Sequence, residues 1–375
     1  MNATQLQASV AEDRETSMDP GAPFIHVRNL SKVFTAAKSR SWKLWGAKAA
    51  SSGFRAVDDV SFQVDRGQIF VIMGLSGSGK STIIRMLNQL IDATEGSITV
   101  DNKDVLAMDP AQLREYRNRT INMVFQHFGL FPHKSLVDNV AFGLKVRGVD
   151  RQAREEKAAK ALSLVGLGDR IHAMPDQLSG GMRQRVGLAR ALATDAEILL
   201  MDEPFSALDP LIRKDMQDLL VKLQRNFKKT IVFVTHDLNE AMRLGDRIMV
   251  MKQGKMIQNG TALDLLDSPA DPYIEKFVAQ VDRSKVLTAR MLVEATRREP
   301  PLGTGKGIDE PDSSADSSDA PAHVWDTTLV SDMLPIFAKG ADSVDVVEQS
   351  GTMIGRIRAQ DVFAAMSPKE HDHES

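Results

Sequence analysis

The sequence predicts an α/β fold, with a mostly parallel sheet that presents its chemistry at the carboxyl edge of the strands. Three observations carry that expectation. Met73-Gly74-Leu75-Ser76-Gly77-Ser78-Gly79-Lys80-Ser81-Thr82 fits the phosphate-loop pattern Gly-x-x-x-x-Gly-Lys-Ser/Thr between an apolar strand and a helix. A second apolar strand ends in Asp202-Glu203, and a third ends at His236. Each strand is followed by helical spacing, the alternation that builds a parallel sheet.

Composition bounds the rest. A chain of 375 residues exceeds one ordinary domain, so two are expected. Apolar content of 42% and charged content of 26% describe an ordinary globular protein. A net charge of −3 is not the electrostatic footprint of a nucleic-acid binder, and no nucleic-acid partner is expected. The absence of cysteine excludes disulfides and thiolate metal sites and suits a reducing compartment. No apolar run approaches the ~18 residues that span a bilayer. The N-terminus is polar and acidic (Glu12, Asp13, Glu15) with no apolar signal core, so any membrane role is expected to be peripheral.

In chain order, residues 1–23 read as a disordered tail. Phe24 to Leu30 and Val60 to Val64 alternate as half-buried strands do. Between them, Ala36 to Arg55 carries Lys38, Arg40, Lys43, Lys48 and Arg55, no acid, and Trp42 and Trp45. This insertion reads first as a solvated surface excursion, with a patch for anionic lipid or a membrane partner as the alternative. Gln68 to Met73 is the buried strand before the loop, and Ser81 to Leu90 the helix after it. From Gln126 to Arg185 the pattern is mostly helical, with Arg151/Glu155 and Glu156/Lys160 at the spacing of ion pairs on one helix face. Glu197 to Glu203 and Thr230 to Thr235 are the other two buried strands, and Asp237 with Glu240 reads as a capping box opening the next helix. Arg247 to Val250 and Lys255 to Gln258 read as a hairpin turning at Gln253-Gly254. Glu299 to His323, rich in Pro, Gly, Ser and Asp, reads as a flexible linker. Order returns at Trp325, with a hairpin at Val344–Val347 and Met353–Ile357 and a helix from Gln360 to Met366.

The chemistry follows from these placements. Gly74, Gly77 and Gly79 let the loop curl so that successive N–H groups, those of Leu75 through Thr82, converge on one anion at a helix N-terminus. Lys80 is expected to reach the β- and γ-phosphates of ATP, and the Ser81 hydroxyl to ligate Mg²⁺. Asp202 is placed to hold Mg²⁺, usually through water, and Glu203 to polarise a water for attack on the γ-phosphate. His236 by itself reads as a structural hydrogen-bonding residue or a γ-phosphate contact. Leu178-Ser179-Gly180-Gly181-Met182-Arg183-Gln184-Arg185 opens a second helix with a serine and two glycines. Two anion-binding termini on one chain make sense if two copies pair head to tail, each closing the other's nucleotide.

With those motifs, residues 24–281 resemble the ATP-binding cassette (ABC) family. The resemblance implies a mostly parallel core, an antiparallel β subdomain and a helical subdomain at about 126–185. It further implies that Ser179, Gly180 and Gly181 contact the γ-phosphate held by the partner in a homodimer. Gln126 would sense Mg²⁺ and the membrane subunit, Ser206 to Asp209 would form the inter-subunit loop, His236 would be the switch histidine, and Phe34 would stack on adenine. The wording from Phe125 to His133, from Asp202 to Pro210, and around Gly181 to Arg190 resembles the ATPase subunits of glycine betaine, proline and choline importers. That implies transmembrane permease subunits, a periplasmic or lipid-anchored binding protein, and a place on the cytoplasmic face of the plasma membrane. Such subunits end in paired cystathionine-β-synthase-type (CBS) modules. Here residues 325–375 resemble one short CBS-like α+β module, and 282–324 reads as the stub of another plus an acidic linker. Asp361 sits at a ribose-binding position of such modules, with Arg358 where a hydroxyl residue is usual. A regulator and a remnant are both open for this module. A non-transport ABC ATPase of DNA-repair or translation type, and a purely regulatory nucleotide sensor, stand as alternatives for the whole chain.

Overall fold

Two long strands, Ile25–Phe34 (β1) and Phe54–Val64 (β2), pair antiparallel at the start of the computed structural model, which describes residues 23–35, 53–125, 129–279, 281–298, 322–348 and 350–367. Residues 1–22 of the N-terminal tail, residues 36–52 of the insertion with its two tryptophans, Gln126 and the linker 299–321 lie outside the described residues, while Phe54 and Arg55 of the insertion belong to β2. Ile69–Gly74 (β3) is buried at every position, the two-sided burial that makes an unbroken apolar run. Lys80–Leu87 (α1) follows the phosphate loop. Glu95–Val100 (β4) and Lys103–Asp104 (β5) then complete a four-stranded antiparallel sheet in the order β2-β1-β4-β5.

Pro110–Glu115 (α2) leads to Ile121–Val124 (β6). The helical subdomain consists of Leu136–Val146 (α3), Arg151–Leu164 (α4) and Gly180–Ala193 (α5), packed on one another. On α4, Arg151 pairs with Glu155 at 2.8 Å as expected, whereas Glu156 accepts from Gln152 at 2.9 Å. Ile198–Asp202 (β7), Pro210–Phe227 (α6), Thr230–Thr235 (β8), Leu238–Leu244 (α7), Arg247–Lys252 (β9) and Lys255–Gly260 (β10) complete the central sheet. Its order is β10-β9-β3-β8-β7-β6, parallel except for β10. The β9–β10 hairpin turns with Gln253 at φ 50° and Gly254 at φ 84°, the double positive φ of a tight hairpin turn. Side chains of β3 alternate between two cores. Val71 and Met73 face the helical side, while Phe70 and Ile72 face the antiparallel sheet, where Phe62 stacks on Phe70 at 5.0 Å.

The remaining chain forms Ala262–Asp267 (α8), Pro272–Val278 (α9), Arg283–Val286 (α10), Ala289–Arg298 (α11), His323–Trp325 (β11), Val330–Ala338 (α12), Ser343–Val347 (β12), Met353–Arg358 (β13) and Ala359–Met366 (α13). β11 and β12 are parallel, and β12 and β13 antiparallel. Residues 282–298, expected as the stub of a second module, pack on this one sheet. A Cβ on Gly355 would lie 2.6 Å from Val293 Cγ1, so only glycine admits α11 this closely. Ala289 N donates to Thr328 O at 2.8 Å and Val330 N to Leu287 O at 2.9 Å. Asp361 is engaged locally: it accepts from Arg358 N at 3.0 Å and meets the Arg358 guanidinium at 3.2 Å.

One ionic cluster ties this unit to the cassette. Asp326, 2% exposed, accepts from Arg225 at the end of α6 (3.1 Å) and from Arg290 on α11 (2.8 Å), and Arg290 also reaches Glu348. Asp326→Ala removes the acceptor that both guanidinium groups share, so the C-terminal unit should loosen by about 2–3 kcal/mol. Hydrogen exchange across β11–β13 should quicken while β3 and β8 keep their protection. Equal rates in variant and parent would show that the cluster holds nothing.

Candidate nucleotide site

Three glycines shape the loop between β3 and α1. At Gly74 (φ 151°) a Cβ would sit 2.3 Å from the Met251 carbonyl oxygen, and at Gly79 (φ 100°) 2.4 Å from that of Ala56. These contacts lock the loop's two ends against β9 and β2. Gly77 (φ 80°) has nothing within 4 Å of the Cβ position, so the middle of the loop faces open space. Gly79 caps α1 without a side-chain acceptor, which leaves the helix N-terminus to an outside anion. Ser78 Oγ is buried with no protein partner. Open space above Gly77, an uncapped terminus and an orphaned hydroxyl fit a bound phosphate.

Lys80 is 4% exposed, and its ammonium donates to the carbonyls of Gly74 (2.8 Å) and Leu75 (3.0 Å). Burial holds its pKa below the ordinary lysine value, opposed by the charges of Glu203 and then Asp202. Ser81 Oγ donates to Asp202 Oδ1 at 2.7 Å, joining α1 to the end of β7. A hydroxyl and a carboxylate side by side are the hard oxygen donors that Mg²⁺ takes beside water and phosphate, so these residues fit that ion.

Glu203 follows β7 with φ 46°, a conformation costly for a residue other than glycine. It is held there by its own N–H, which donates to Val234 O of β8 at 3.0 Å. The twist brings Glu203 Oε2 to 3.1 Å from His236 Nδ1 at the end of the neighbouring strand. One strand edge thus gathers Lys80, Ser81, Asp202, Glu203 and His236. A base beside a histidine, next to a phosphate cradle and a pair of oxygen ligands, is equipped for attack of water on a phosphoryl group.

Ser179, Gly180 and Gly181 stand apart from this cluster: no described hydrogen bond or ion pair joins them to it. Ser179 is exposed and caps α5, accepting from Met182 N at 3.3 Å. Gly181 lies against α6, where a Cβ would meet Ile212 Cγ2 at 2.5 Å, while Gly180 has nothing within 4 Å. Asp209 caps α6 through Ile212 N at 3.1 Å. Phe34 is 41% exposed at the end of β1, paired in register with Phe54, with Lys32 Nζ 5.2 Å from its ring centre. Two residues lie elsewhere than local sequence patterns indicate. Glu240 does not complete the expected capping box; it turns inward, 5% exposed, to Thr235 and Gln217. Arg213, which bridges Leu208 O and Asp237, carries no local sequence signal.

The family profile described as ABC transporter matches residues 57–206, from β2 through the turn after Glu203. Over 280 residues the chain is 53% identical to the glycine betaine transport ATP-binding protein OpuAA of Bacillus subtilis (strain 168), covering 73% of this chain and 67% of that one. It is 50% identical over 284 residues to the glycine betaine/proline betaine transport system ATP-binding protein ProV of Salmonella typhimurium, covering 74% and 70%. Among solved structures, the dimeric post-hydrolysis ATP-binding cassette MJ0796 bound to ADP and Pi superimposes with a TM-score of 0.54 at 33% identity, over 64% of this chain and 98% of that one.

The chain belongs to the ABC transporter family. The cassette fold read from the phosphate loop and the two strand ends is therefore the fold it has.

In this ABC cassette the bonds of Lys80 run to the loop's own carbonyls, so the loss of the side chain falls on the loop itself. Lys80→Ala should fold like the parent and lose nucleotide affinity by about a hundredfold or more, the scale of a lost charge-assisted phosphate contact. Titration with a fluorescent ATP analogue measures this. Parental affinity would remove Lys80 from the site.

Proposed function

We propose that this ABC ATPase powers import of a quaternary amine or imino acid osmolyte, such as glycine betaine, proline or choline, through a separate permease. The observation that carries the hydrolytic part is the Glu203–His236 contact beside Lys80, Ser81 and Asp202. The cargo class rests on relatives whose names are those of glycine betaine, proline betaine and choline transport ATP-binding proteins. Those relatives also favour transport over the DNA-repair or translation alternative.

The chain's residues divide the work. The loop N–H groups from Leu75 to Thr82 and the Lys80 ammonium bind the β- and γ-phosphates of ATP. Ser81 and Asp202, with Gln126, would hold Mg²⁺, which when bound neutralises charge on the phosphate oxygens. Glu203 accepts the proton of the attacking water. His236, whose Nδ1 lies 3.1 Å from Glu203 Oε2, keeps that carboxylate aimed and contacts the γ-phosphate. Phe34 stacks on adenine. Ser179, Gly180 and Gly181 complete the site of the partner subunit in a homodimer, which accounts for their standing apart from their own chain's cluster. Closing that dimer rocks the permease, and hydrolysis resets it.

The permease would dock on the helical subdomain, where Phe142 of α3 is 36% exposed and its ring centre lies 4.6 Å from that of Phe131. No described helix is long and apolar enough to cross a membrane, and the cassette would ride peripherally on the cytoplasmic face of the plasma membrane. A periplasmic or lipid-anchored binding protein would supply the cargo. The C-terminal sheet with α12 and α13 is read as a single CBS-like module that biases the cassette through α6, because Arg225 of that helix meets Asp326.

Glu203→Gln keeps shape and removes the base. ATP should still bind and close the dimer, while kcat falls by about 10²- to 10⁴-fold. Steady-state turnover with size-exclusion chromatography reads both, and native turnover would displace Glu203 from the role. Ser179→Arg and Lys80→Ala chains should each be inactive alone yet recover turnover when mixed, because one heterodimer site is intact. No recovery despite demonstrated subunit exchange would rule out the composite site.

A further inference from the structure

Helix α6 begins at the loop Ser206 to Asp209 and ends at the C-terminal unit, and on its inner face two side chains reach across to the turn that carries His236. Arg213, one turn into α6, donates through Nη2 to Leu208 O at 3.1 Å and through Nη1 to Asp237 Oδ2 at 3.3 Å. A single guanidinium thus joins the residue before Asp209 to the residue after His236. One turn further on, Gln217, 6% exposed, donates through Nε2 to Glu240 Oε1 at 3.1 Å. The other oxygen of Glu240 accepts from the Thr235 hydroxyl at 2.5 Å, and Thr235 is the residue before His236. The same hydroxyl accepts from Asp237 N at 3.0 Å, closing the turn on itself.

His236 is therefore flanked on both sides by residues tied to α6, while its own side chain is 53% exposed and its described partner is Glu203. Its position is set by the turn and not by packing around the ring. A site that needed only filling would hold an apolar residue, because burying a carboxyl group is costly without partners. Glu240 sits there with both oxygens satisfied, which is what a double acceptor between two donors supplies. Arg213 tolerates a buried Nε without a partner while its two other nitrogens span two acceptors 29 residues apart in sequence, at Leu208 and Asp237.

We infer that Glu240 and Arg213 are positioning residues that hold His236 in register with the loop at Leu208-Asp209, so that the geometry of the γ-phosphate end of the site follows the loop facing the partner subunit. The inference rests on the proposed roles of Glu203 and His236. Neither residue touches nucleotide. Both act through the orientation of His236 and so on the chemical step, where displacement by about 1 Å costs on the order of a hundredfold.

The test uses the full chain. Glu240→Ala should lower kcat by about tenfold to a hundredfold, with KM for ATP within about twofold of the parent. Glu240→Gln should restore most of kcat, because the amide oxygen accepts from Gln217 and the amide nitrogen donates to Thr235 Oγ1. Arg213→Ala, which leaves Glu240 intact, should repeat the split between kcat and KM. In a Glu203→Gln background, Glu240→Ala should still form the ATP-closed dimer on size exclusion. Native kcat in both Glu240→Ala and Arg213→Ala overturns the inference. So does a fall of kcat, ATP affinity and melting temperature together in both variants, or a glutamine variant no better than alanine. His236→Ala and Glu203→Gln are run beside them. If those two hydrolyse ATP at the native rate, the reading of the site has failed instead.

Discussion

An ammonium group with 4% exposure has almost no water, so the protein must supply its hydration shell. For Lys80 that shell is the pair of carbonyls at Gly74 and Leu75, and they point inward only because the loop folds back over its own lysine. The fold-back requires positive φ at Gly74 and Gly79 and backbone contact with Met251 and Ala56 where no Cβ fits. Those two carbonyls come from different sheets, β9 of the central sheet and β2 of the antiparallel one. The loop is thus set by the packing of the two sheets, and the core between them, with Phe62 on Phe70, supports the loop's curvature. A substrate phosphate arriving at the loop offers Lys80 a stronger partner than two neutral carbonyls.

The parts of this arrangement that could be read from sequence are those in which a local pattern and its tertiary environment agree. β3, β7 and β8 are covered on both faces, so every position is buried and each carries an apolar run of at least four residues. The phosphate loop is legible because its glycines answer a backbone requirement that other residues meet poorly. The β9–β10 turn is legible for the same reason at Gly254. Glu240 shows where this fails. An acid three residues after Asp237 has the spacing of a capping box, and nothing local says that the side chain faces the interior instead of the helix end. Gln217, which decides the matter, lies 23 residues earlier on another helix. Residues 282–298 fail in the same way. Their partner sheet comes after a long polar stretch, and Gly355, whose missing side chain admits Val293, reads in isolation as one more hairpin glycine.

Ser179, Gly180 and Gly181 present a different limit. The sequence marks them as an anion-binding terminus, yet in the single chain they meet none of the residues that would surround a phosphate. An exposed serine cap, a glycine with open space and a second glycine pressed on Ile212 make an edge with no described bond to the chain's own cluster. Such an edge suits the proposed contact with a second molecule. Helix α6 underlies both this edge and the loop before the helix, since Ile212 supports Gly181 and Asp209 caps the same helix.

Helix α6 also reaches the other end of the molecule. Its 18 residues span about 27 Å, from Asp209 at the loop to Arg225 at the buried Asp326. Along that length it touches the phosphate-loop sheet through Gln224, which bonds Gly67 O, the His236 turn through Arg213 and Gln217, and the C-terminal unit through Arg225. A helix is stiff on this scale, so these contacts cannot shift independently. Both ends pair partly exposed guanidinium groups with acids. At the His236 end Glu240 is buried with both oxygens paired while Arg213 and Asp237 are partly exposed, and at the far end Arg225 and Arg290 flank the buried Asp326. Because one stiff helix joins the two ends, a displacement at Asp326 would be carried to the turn beside His236. The C-terminal unit is thus joined through α6 to the His236 turn, while the phosphate loop is held separately by its backbone contacts with Met251 and Ala56.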